Sequence, residues 1–321
     1  MSKRILIIDQ LNMFFRAYIV DPSLSENGQP IGGLKGTLKI MQKLLRETKP
    51  DRVVICWDGA GGSKKRRAIK KDYKGNRRPV RLNRDIRNLS ESEEIQNKIW
   101  QQTRLIEYFN HMPVSQIMLP DIEADDVIAY VCQMPALKNN QKLIVSSDKD
   151  FFQLLDDETV LYRPVQKEFL NKNSIINKFG IHPNNMTIAR AMAGDKSDNL
   201  EGIGGAGLTT VSKRFPFLGE EKSYTITEVL AYGKEKLSEH KLKVYENLLD
   251  KSDVFERNYK IMQLYAPSIS ISSKQAIRST TMNEDLHLNK TEIRKMMLKD
   301  GFIDYSWSSL FQSLNRVCFT K

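Results

Sequence analysis

Cysteine is scarce in this chain. Cys56, Cys132 and Cys318 are the only three among 321 residues, too few and too scattered for a disulfide framework or a zinc site, and the four histidines lie apart from them. Long apolar runs are missing too. Lys3-Arg4 ahead of Ile5-Leu6-Ile7-Ile8 mimics the opening of a signal peptide, but Asp9, Gln10 and Arg16 break the stretch. There is no internal repeat and no long disordered linker. These absences argue against a disulfide scaffold, a zinc domain, export and a membrane span, and a reducing cytoplasm is the expected setting.

What the chain has is positive charge in one place. Lys and Arg number 50 against 39 Asp and Glu, a formal net charge of +11. Between Lys64 and Arg87 twelve basic residues face two aspartates, so +10 of that +11 lies in 24 residues and the rest is almost neutral. Such a field points to a polyanionic partner. The length suits one large or two modest domains with a sizeable core.

Acids stand where apolar runs stop. Ile5-Leu6-Ile7-Ile8 reads as a buried strand that ends on Asp9 and turns into a helix through Phe14, Phe15 and Ala17. Leu34, Leu38, Met41 and Leu45 mark one face of a helix closed by Pro50, and Val53-Val54-Ile55-Cys56-Trp57 makes a strand that ends on Asp58. Beyond the basic segment, Ile95, Ile99, Ile106 and Phe109 predict a helix, Val114 to Leu119 a third strand, and Glu123 to Cys132 another helix. Leu143-Ile144-Val145 is a fourth strand, ending just before Asp148. Alternating strands and helices imply an α/β fold with a mainly parallel sheet, whose ligands bind at the carboxyl ends of strands. Past Tyr162-Arg163-Pro164 the pattern reads as short helices and polar turns, with Ile293, Met296 and Met297 as core.

Glu123-Ala124-Asp125-Asp126 and Ser146-Ser147-Asp148-Lys149-Asp150 crowd further acids beside apolar runs. Unscreened like charges a few ångströms apart repel by roughly 4 kcal/mol per pair at an intermediate dielectric, so a cluster of them holds protons or cations. Any one of these acids alone could cap a helix or fill a turn. Together with Asp9 and Asp58 they form a bowl of carboxylates free of Cys and His, suited to two hard ions, Mg2+ or Mn2+, that activate water for phosphodiester hydrolysis. Asp195 and Asp198, within Gly194-Asp195-Lys196-Ser197-Asp198-Asn199, add a contribution from the helical half.

In the basic segment Lys70, Lys74, Arg77 and Arg81 recur at helical spacing, so a helix interrupted at Pro79 would present one stripe, a mobile lid that grips phosphates, with Tyr73 placed to stack on a base. Gly202-Ile203-Gly204-Gly205-Ala206-Gly207 has the spacing of a dinucleotide fingerprint, but no strand precedes it. Glycines between two short helices instead expose backbone N–H groups to a duplex backbone, with Lys213 and Arg214 adding charge. Gly59-Ala60-Gly61-Gly62-Ser63-Lys64 misses the spacing of a phosphate-binding P-loop.

At this point the chain resembles the 5′ nuclease family: phage 5′→3′ exonucleases, the phage enzyme called RNase H, flap endonucleases and the N-terminal domain of bacterial DNA polymerase I. The likeness runs from Ile5 to about Phe215. It is carried by Asp9 after a strand, Trp57-Asp58-Gly59, Tyr73-Lys74-Gly75-Asn76-Arg77, Glu123-Ala124-Asp125-Asp126, Ser147-Asp148-Lys149-Asp150 and Gly194 to Asn199 leading into the glycine hairpin, all in family order. The resemblance implies a PIN-like catalytic domain over 1–178 with a basic helical arch about 63–90. It also implies a helical part over 179–321 with a helix-three-turn-helix about 188–215 that holds duplex DNA. It makes Asp9, Asp58, Glu123, Asp125 and Asp148 ligands of a tighter metal site, and Asp126, Asp150, Asp195 and Asp198 ligands of a second. Lys74 corresponds to the arch lysine that steers the scissile phosphate, with Arg66 and Arg77 as its basic companions. Lys70, Arg81 and Arg84, together with Gly202, Gly204, Gly205, Gly207 and Lys213, are then nucleic-acid contacts. Asp121 stands where the family has a small residue, and Glu201 and Gly204 where prolines are common; these departures bear on the hairpin's shape and on a potassium ion there.

The implied activity is a 5′→3′ exonuclease and flap endonuclease that removes RNA primers or 5′ flaps in replication, needing Mg2+ with Mn2+ as a substitute. The chain resembles a stand-alone, phage-encoded enzyme of the bacterial cytoplasm, monomeric, with single-stranded DNA-binding protein or a sliding clamp as further partners. The Leu-Phe end of Trp307-Ser308-Ser309-Leu310-Phe311 faintly resembles a clamp-binding peptide, but ordinary core packing is the better reading of it. Two other readings compete: a nucleic-acid-binding scaffold with a dead site, which has no need of the intact acidic set, and a PIN-type RNA endonuclease, which would lack the arch and the glycine hairpin.

Overall fold

The structure, a computed structural model, describes residues 2–86, 89–302 and 305–319. Arg87, at the far end of the basic segment, lies outside them. The strands are β1 (Arg4–Asp9), β2 (Arg52–Trp57), β3 (Ser115–Met118), β4 (Gln141–Val145), β5 (Thr159–Arg163) and β6 (Glu168–Leu170). They form one sheet in the order β3-β2-β1-β4-β5-β6, parallel except for β6, which returns against β5 through a tight turn.

The apolar runs of β1 and β2 are buried on both sides because their residues alternate between two cores. Leu6, Ile8, Val53 and Ile55 face one core, and Ile5, Ile7, Val54 and Cys56 the other. The first core is covered by α1 (Gln10–Val20) and α2 (Gly32–Thr48), where Leu34, Leu38, Met41 and Leu45 are all buried as expected. The short α3 (Lys64–Ile69) leads toward α4 (Glu91–Asn110), which covers the same face. The second core takes α5 (Ala124–Gln133), α6 (Lys172–Phe179), α7 (Pro183–Ala193), α8 (Leu208–Arg214), α9 (Ile226–His240), α10 (Lys243–Asp250), α11 (Ser252–Met262) and α12 (Ile271–Thr281). The chain then crosses back, and α13 (Lys290–Lys299) and α14 (Trp307–Phe319) pack on the first core. Ile293 and Met297 are fully buried there, as are Leu310 and nearly so Phe311, so the Leu-Phe pair is core and not a free clamp peptide. No helix among the described residues is long and apolar enough to cross a membrane.

One helical expectation holds with a different buried face, and another fails. Helix α4 forms, but Ile95 and Ile99 are exposed, while Glu94 and Gln101 are buried. Glu94 accepts the backbone N–H of Leu82, and Gln101 accepts that of Leu34 while donating to Pro30 O. Polar side chains that satisfy otherwise unpaired backbone groups displace the isoleucines from the interface. The failure is the basic stripe. The helix stops at Ile69, and Lys70, Lys74, Arg77 and Arg81 lie on turns and irregular chain. Lys74 takes φ 58° and donates its N–H to Asp198 O at 3.0 Å, a left-handed conformation incompatible with a continuous helix.

Candidate active site

The sheet delivers the acids to one rim. Asp9 is the last residue of β1 and caps α1; its carboxylate accepts Ser146 Oγ–H at 2.8 Å and the Asn12 N–H at 3.3 Å. Asp58 follows β2 and accepts the N–H of Ala124 at 2.7 Å, which locks it to the start of α5. This approach needs Gly59: a Cβ there would lie 1.6 Å from Leu119 O, and Gly59 N–H instead donates to Ile122 O. The loop so held places Glu123 at the N-cap of α5, with Asp125 and Asp126 in its first turn. Asp148 follows β4, and Asp150 opens a 3-10 helix over Asp150–Leu154. Asp195 caps the 3-10 turn Lys196–Asp198 beyond α7.

Electrostatics bind these acids into one system. Burial, with Asp58 and Asp148 adding repulsion, pushes Asp9 up to about 7. Asp150 is likewise pushed up to about 7 by burial, with Asp148, Asp198 and Asp125 contributing. Burial and Asp125 raise Asp58 and Glu123, and burial followed by Asp125 and Asp198 raises Asp148. Burial also raises Asp126, against the pull of Arg66. Asp125 moves the other way: its burial is outweighed by Arg66 and Lys74. Asp195 is also lowered, its burial being outweighed by Ser197 and Arg190.

Four cations of the chain itself stand among the nine carboxylates. Buried Arg66 donates Nη1 to Glu123, pairs with both oxygens of Asp126 at 3.0 and 3.1 Å, stands 3.5 Å from Asp125, and gives Nε to Ile261 O. Lys74 Nζ bonds Glu123, and Arg77 Nη2 donates to Asp198 Oδ1 at 2.5 Å. Arg190 bridges Asp150 and Asp195. Among the described residues no three His, Cys, Asp or Glu side chains therefore close on a single point as a bound ion requires. The acids expected from the sequence lie along one rim, interleaved with guanidinium and ammonium groups. The donors nonetheless suit a hard divalent cation in kind, being all oxygen, mostly buried and in excess of the positive charge.

Several residues differ from their expected roles. Tyr73 is buried, and its hydroxyl donates to Asp198 Oδ2 at 3.1 Å, so it supports the rim and has no free face for a base. Arg66 is buried under the acids and not held on an open lid. Arg81 pairs with Glu91 and Glu94 of α4. Lys70 leans on Asp72, and Arg84 is exposed. In the loop between α7 and α8, Gly202 packs so closely on the end of α7 that a Cβ would meet Ala193 O at 2.2 Å. Gly204 lies beside Asn247, whereas Gly205, at φ 82°, and Gly207, the N-cap of α8, open onto free space near exposed Lys213. Sequence reasoning missed Arg190 and the Asn76–Asn199 contact at 2.6 Å that pins the basic segment to the acid turn. The signal for Arg190 was available: one arginine inside the apolar run Ile188-Ala189-Arg190-Ala191-Met192, just ahead of Gly194-Asp195.

Comparison with known proteins places this geometry. Residues 4–180 match the 5′-3′ exonuclease N-terminal resolvase-like domain. A 5′-3′ exonuclease of Aquifex aeolicus is 27% identical over 319 residues, covering 98% of this chain and 96% of its own. A 5′-3′ exonuclease of Buchnera aphidicola is 30% identical over 214 residues, 65% of this chain and 68% of its own. In fold the chain is similar to a bacteriophage T5 flap endonuclease solved with DNA and metal ions, at a TM-score of 0.64 and 16% identity over 93% of this chain and 99% of that one. On this family match the chain belongs to the 5′-3′ exonuclease family.

Proposed function

We propose that the protein is a divalent-metal-dependent, structure-selective 5′ nuclease that cleaves phosphodiester bonds as a 5′→3′ exonuclease and flap endonuclease, removing RNA primers or 5′ flaps. The observation that carries this reading is the rim itself: nine carboxylates against four internal cations, with Asp9 and Asp150 held up to about 7. Asp9, Asp58, Glu123, Asp125 and Asp148 would hold one Mg2+, and Asp126, Asp150, Asp195 and Asp198 a second, with Mn2+ as a substitute. When bound, such ions activate a water and stabilise the leaving oxygen.

The remaining work falls to the chain. Ser146 and the Ala124 N–H fix the orientation of Asp9 and Asp58. Lys74, paired with Glu123, and the half-exposed Arg77, paired with Asp198, would exchange a carboxylate for the scissile phosphate. Lys70, Arg84 and Lys213 gather the polyanion from outside, and the backbone at Gly205 and Gly207 is free to meet duplex phosphates. The test is a labelled 5′-flap duplex beside a nicked primer–template, each in Mg2+ and in EDTA. Cleavage confined to Mg2+ is expected; equal cleavage in EDTA, or none with folded protein, overturns the reading.

A further inference from the structure

A pocket of about 260 Å³ opens between α1, α2 and the β5–β6 turn, on the face of the sheet opposite the α7–α8 loop. Its floor is apolar, made by Ala17, Ile40 and Leu44, and its edge carries Arg16, Lys39, Lys43 and Lys167. The one acid in it, Asp21, is already engaged: Oδ1 accepts Ser23 N–H at 2.9 Å and Oδ2 takes Lys39 Nζ at 3.3 Å. Lys43 has only Glu47, at 4.0 Å. Arg16, half-buried, and Lys167, on the turn, have no acceptor within bonding distance among the described residues. A guanidinium that loses part of its hydration without gaining an acceptor is costly unless a ligand supplies one.

The pocket is also tied to the rim. Ser146 N–H donates to the carbonyl of Tyr162, which lines the pocket, and Ser146 Oγ donates to Asp9. We propose that this pocket is a nucleotide subsite: Arg16 and Lys167 take a phosphate, Lys39 and Lys43 add charge, and the apolar floor receives the sugar or base. The inference rests on the nuclease reading of the rim. The volume lies below the roughly 300 Å³ at which drug-sized pockets begin, so it takes one nucleotide and not a run of bases. Two sources share this chemistry, a strand of the substrate that continues past the rim and a mononucleotide released by cleavage.

The test is done in EDTA, so that the rim contributes no metal. Thymidine 5′-monophosphate is titrated into isotope-labelled protein, with thymidine and inorganic phosphate alongside. The monophosphate is expected to shift Ala17, Ile40 and Tyr162, and the Arg16→Gln, Lys167→Asn double variant to bind it roughly tenfold or more weakly, the scale of one lost charge-assisted hydrogen bond. Lys167→Asn alone, at an exposed turn with φ 54° that asparagine tolerates, guards against misfolding and is expected to show part of the loss. Affinity for a 5′-flap duplex in EDTA, lowered in the double variant, assigns the strand as the source; flap affinity unchanged with monophosphate binding weakened assigns the product. Monophosphate shifts elsewhere, or equal affinity for the double variant and the native protein, overturn the proposal. Because no divalent ion is present, that failure leaves the Mg2+-dependent cleavage test untouched, and a failed cleavage test leaves the pocket measurement standing.

Discussion

Arg190 Nε and Nη2 both donate to a single oxygen of Asp150, Oδ1, at 2.9 and 2.6 Å. Nη2 reaches Asp195 Oδ2 as well, at 2.8 Å, so one buried side chain of α7 joins the acid after β4 to the acid that caps the Lys196–Asp198 turn. The sheet's rim and the turn that follows α7 meet through this guanidinium.

Arg190→Gln leaves Asp150 buried without its partner, and breaking a buried pair costs about 3 kcal/mol or more. Urea unfolding in EDTA should show that loss at pH 8 and a smaller one at pH 5, where a raised Asp150 is protonated and needs no counter-charge. An equal loss at both values would mean that Asp150 does not titrate between them and that the arginine stabilises through Asp195 or packing.

The same raised groups set the pH response of the native protein. Asp9 and Asp150 stand up to about 7 when folded, against an ordinary aspartate value of 3.8. The folded state therefore binds more protons between about pH 4 and 7, and the stability these groups give is present at low pH and lost as pH rises through that window. Asp125 and Asp195 are lowered and act only below it. The urea midpoint in EDTA should fall from pH 5 to pH 8, and Mg2+ should restore most at pH 8, where the carboxylates are free to bind it. A midpoint that climbs over this range in EDTA contradicts the assignment.

Asp148→Asn removes one charge from the middle of the repelling set without changing volume. Cleavage at saturating Mg2+ should fall by on the order of 10² or more, while the melting temperature in EDTA should hold or rise. Native turnover by this variant would sink the two-ion reading.

Gly207→Val tests the α7–α8 loop. A Cβ at Gly207 meets nothing within 4 Å, so the folded chain accommodates a side chain there and only an incoming duplex is obstructed. Gel-shift affinity for duplex DNA should drop with little change in melting temperature. Unchanged affinity would mean that this loop faces away from the substrate.

How much of this was legible in the sequence depended on whether the determining contact was local. Strands β1, β2 and β4 are apolar runs that stop at or beside an acid, and parallel topology alone then carries Asp9, Asp58 and Asp148 to one rim. Ile293 and Met297 were legible as core by helical spacing. The face of α4 was not, because Glu94 and Gln101 are buried to satisfy backbone groups of Leu82 and Leu34 that are distant in sequence. The conformation of the basic segment was hidden for the same reason: Lys74 and Asn76 are fixed by Asp198 and Asn199, more than a hundred residues away. Charge periodicity records none of that.

Lys74 separates capture of the substrate from chemistry on it. Its Nζ rests on Glu123 and over the Tyr73 ring at 5.0 Å, and despite its burial Asp125 and Glu123 hold its pKa above the usual lysine value, so it stays charged. Charges at the edge behave differently. Lys70 and Arg84 act through the field of the segment, and affinity should weaken with salt by roughly 0.9 log units per released counterion per log unit of salt. Neutralising Lys70, Arg81 and Arg84 together should flatten that slope and raise KM, and freeing Glu91 and Glu94 from Arg81 should loosen the attachment to α4 as well. Lys74→Ala should instead lower kcat by on the order of 10² or more, the scale of one lost electrostatic stabiliser, because its contact with phosphate would strengthen as charge develops in the transition state. Duplex affinity in Ca2+ should change little. Single-turnover cleavage of a 5′-flap substrate with enzyme in excess decides between the two roles: if saturating Lys74→Ala enzyme regains the native rate, Lys74 is a phosphate grip like its neighbours, and the catalytic role passes to Arg77 on Asp198.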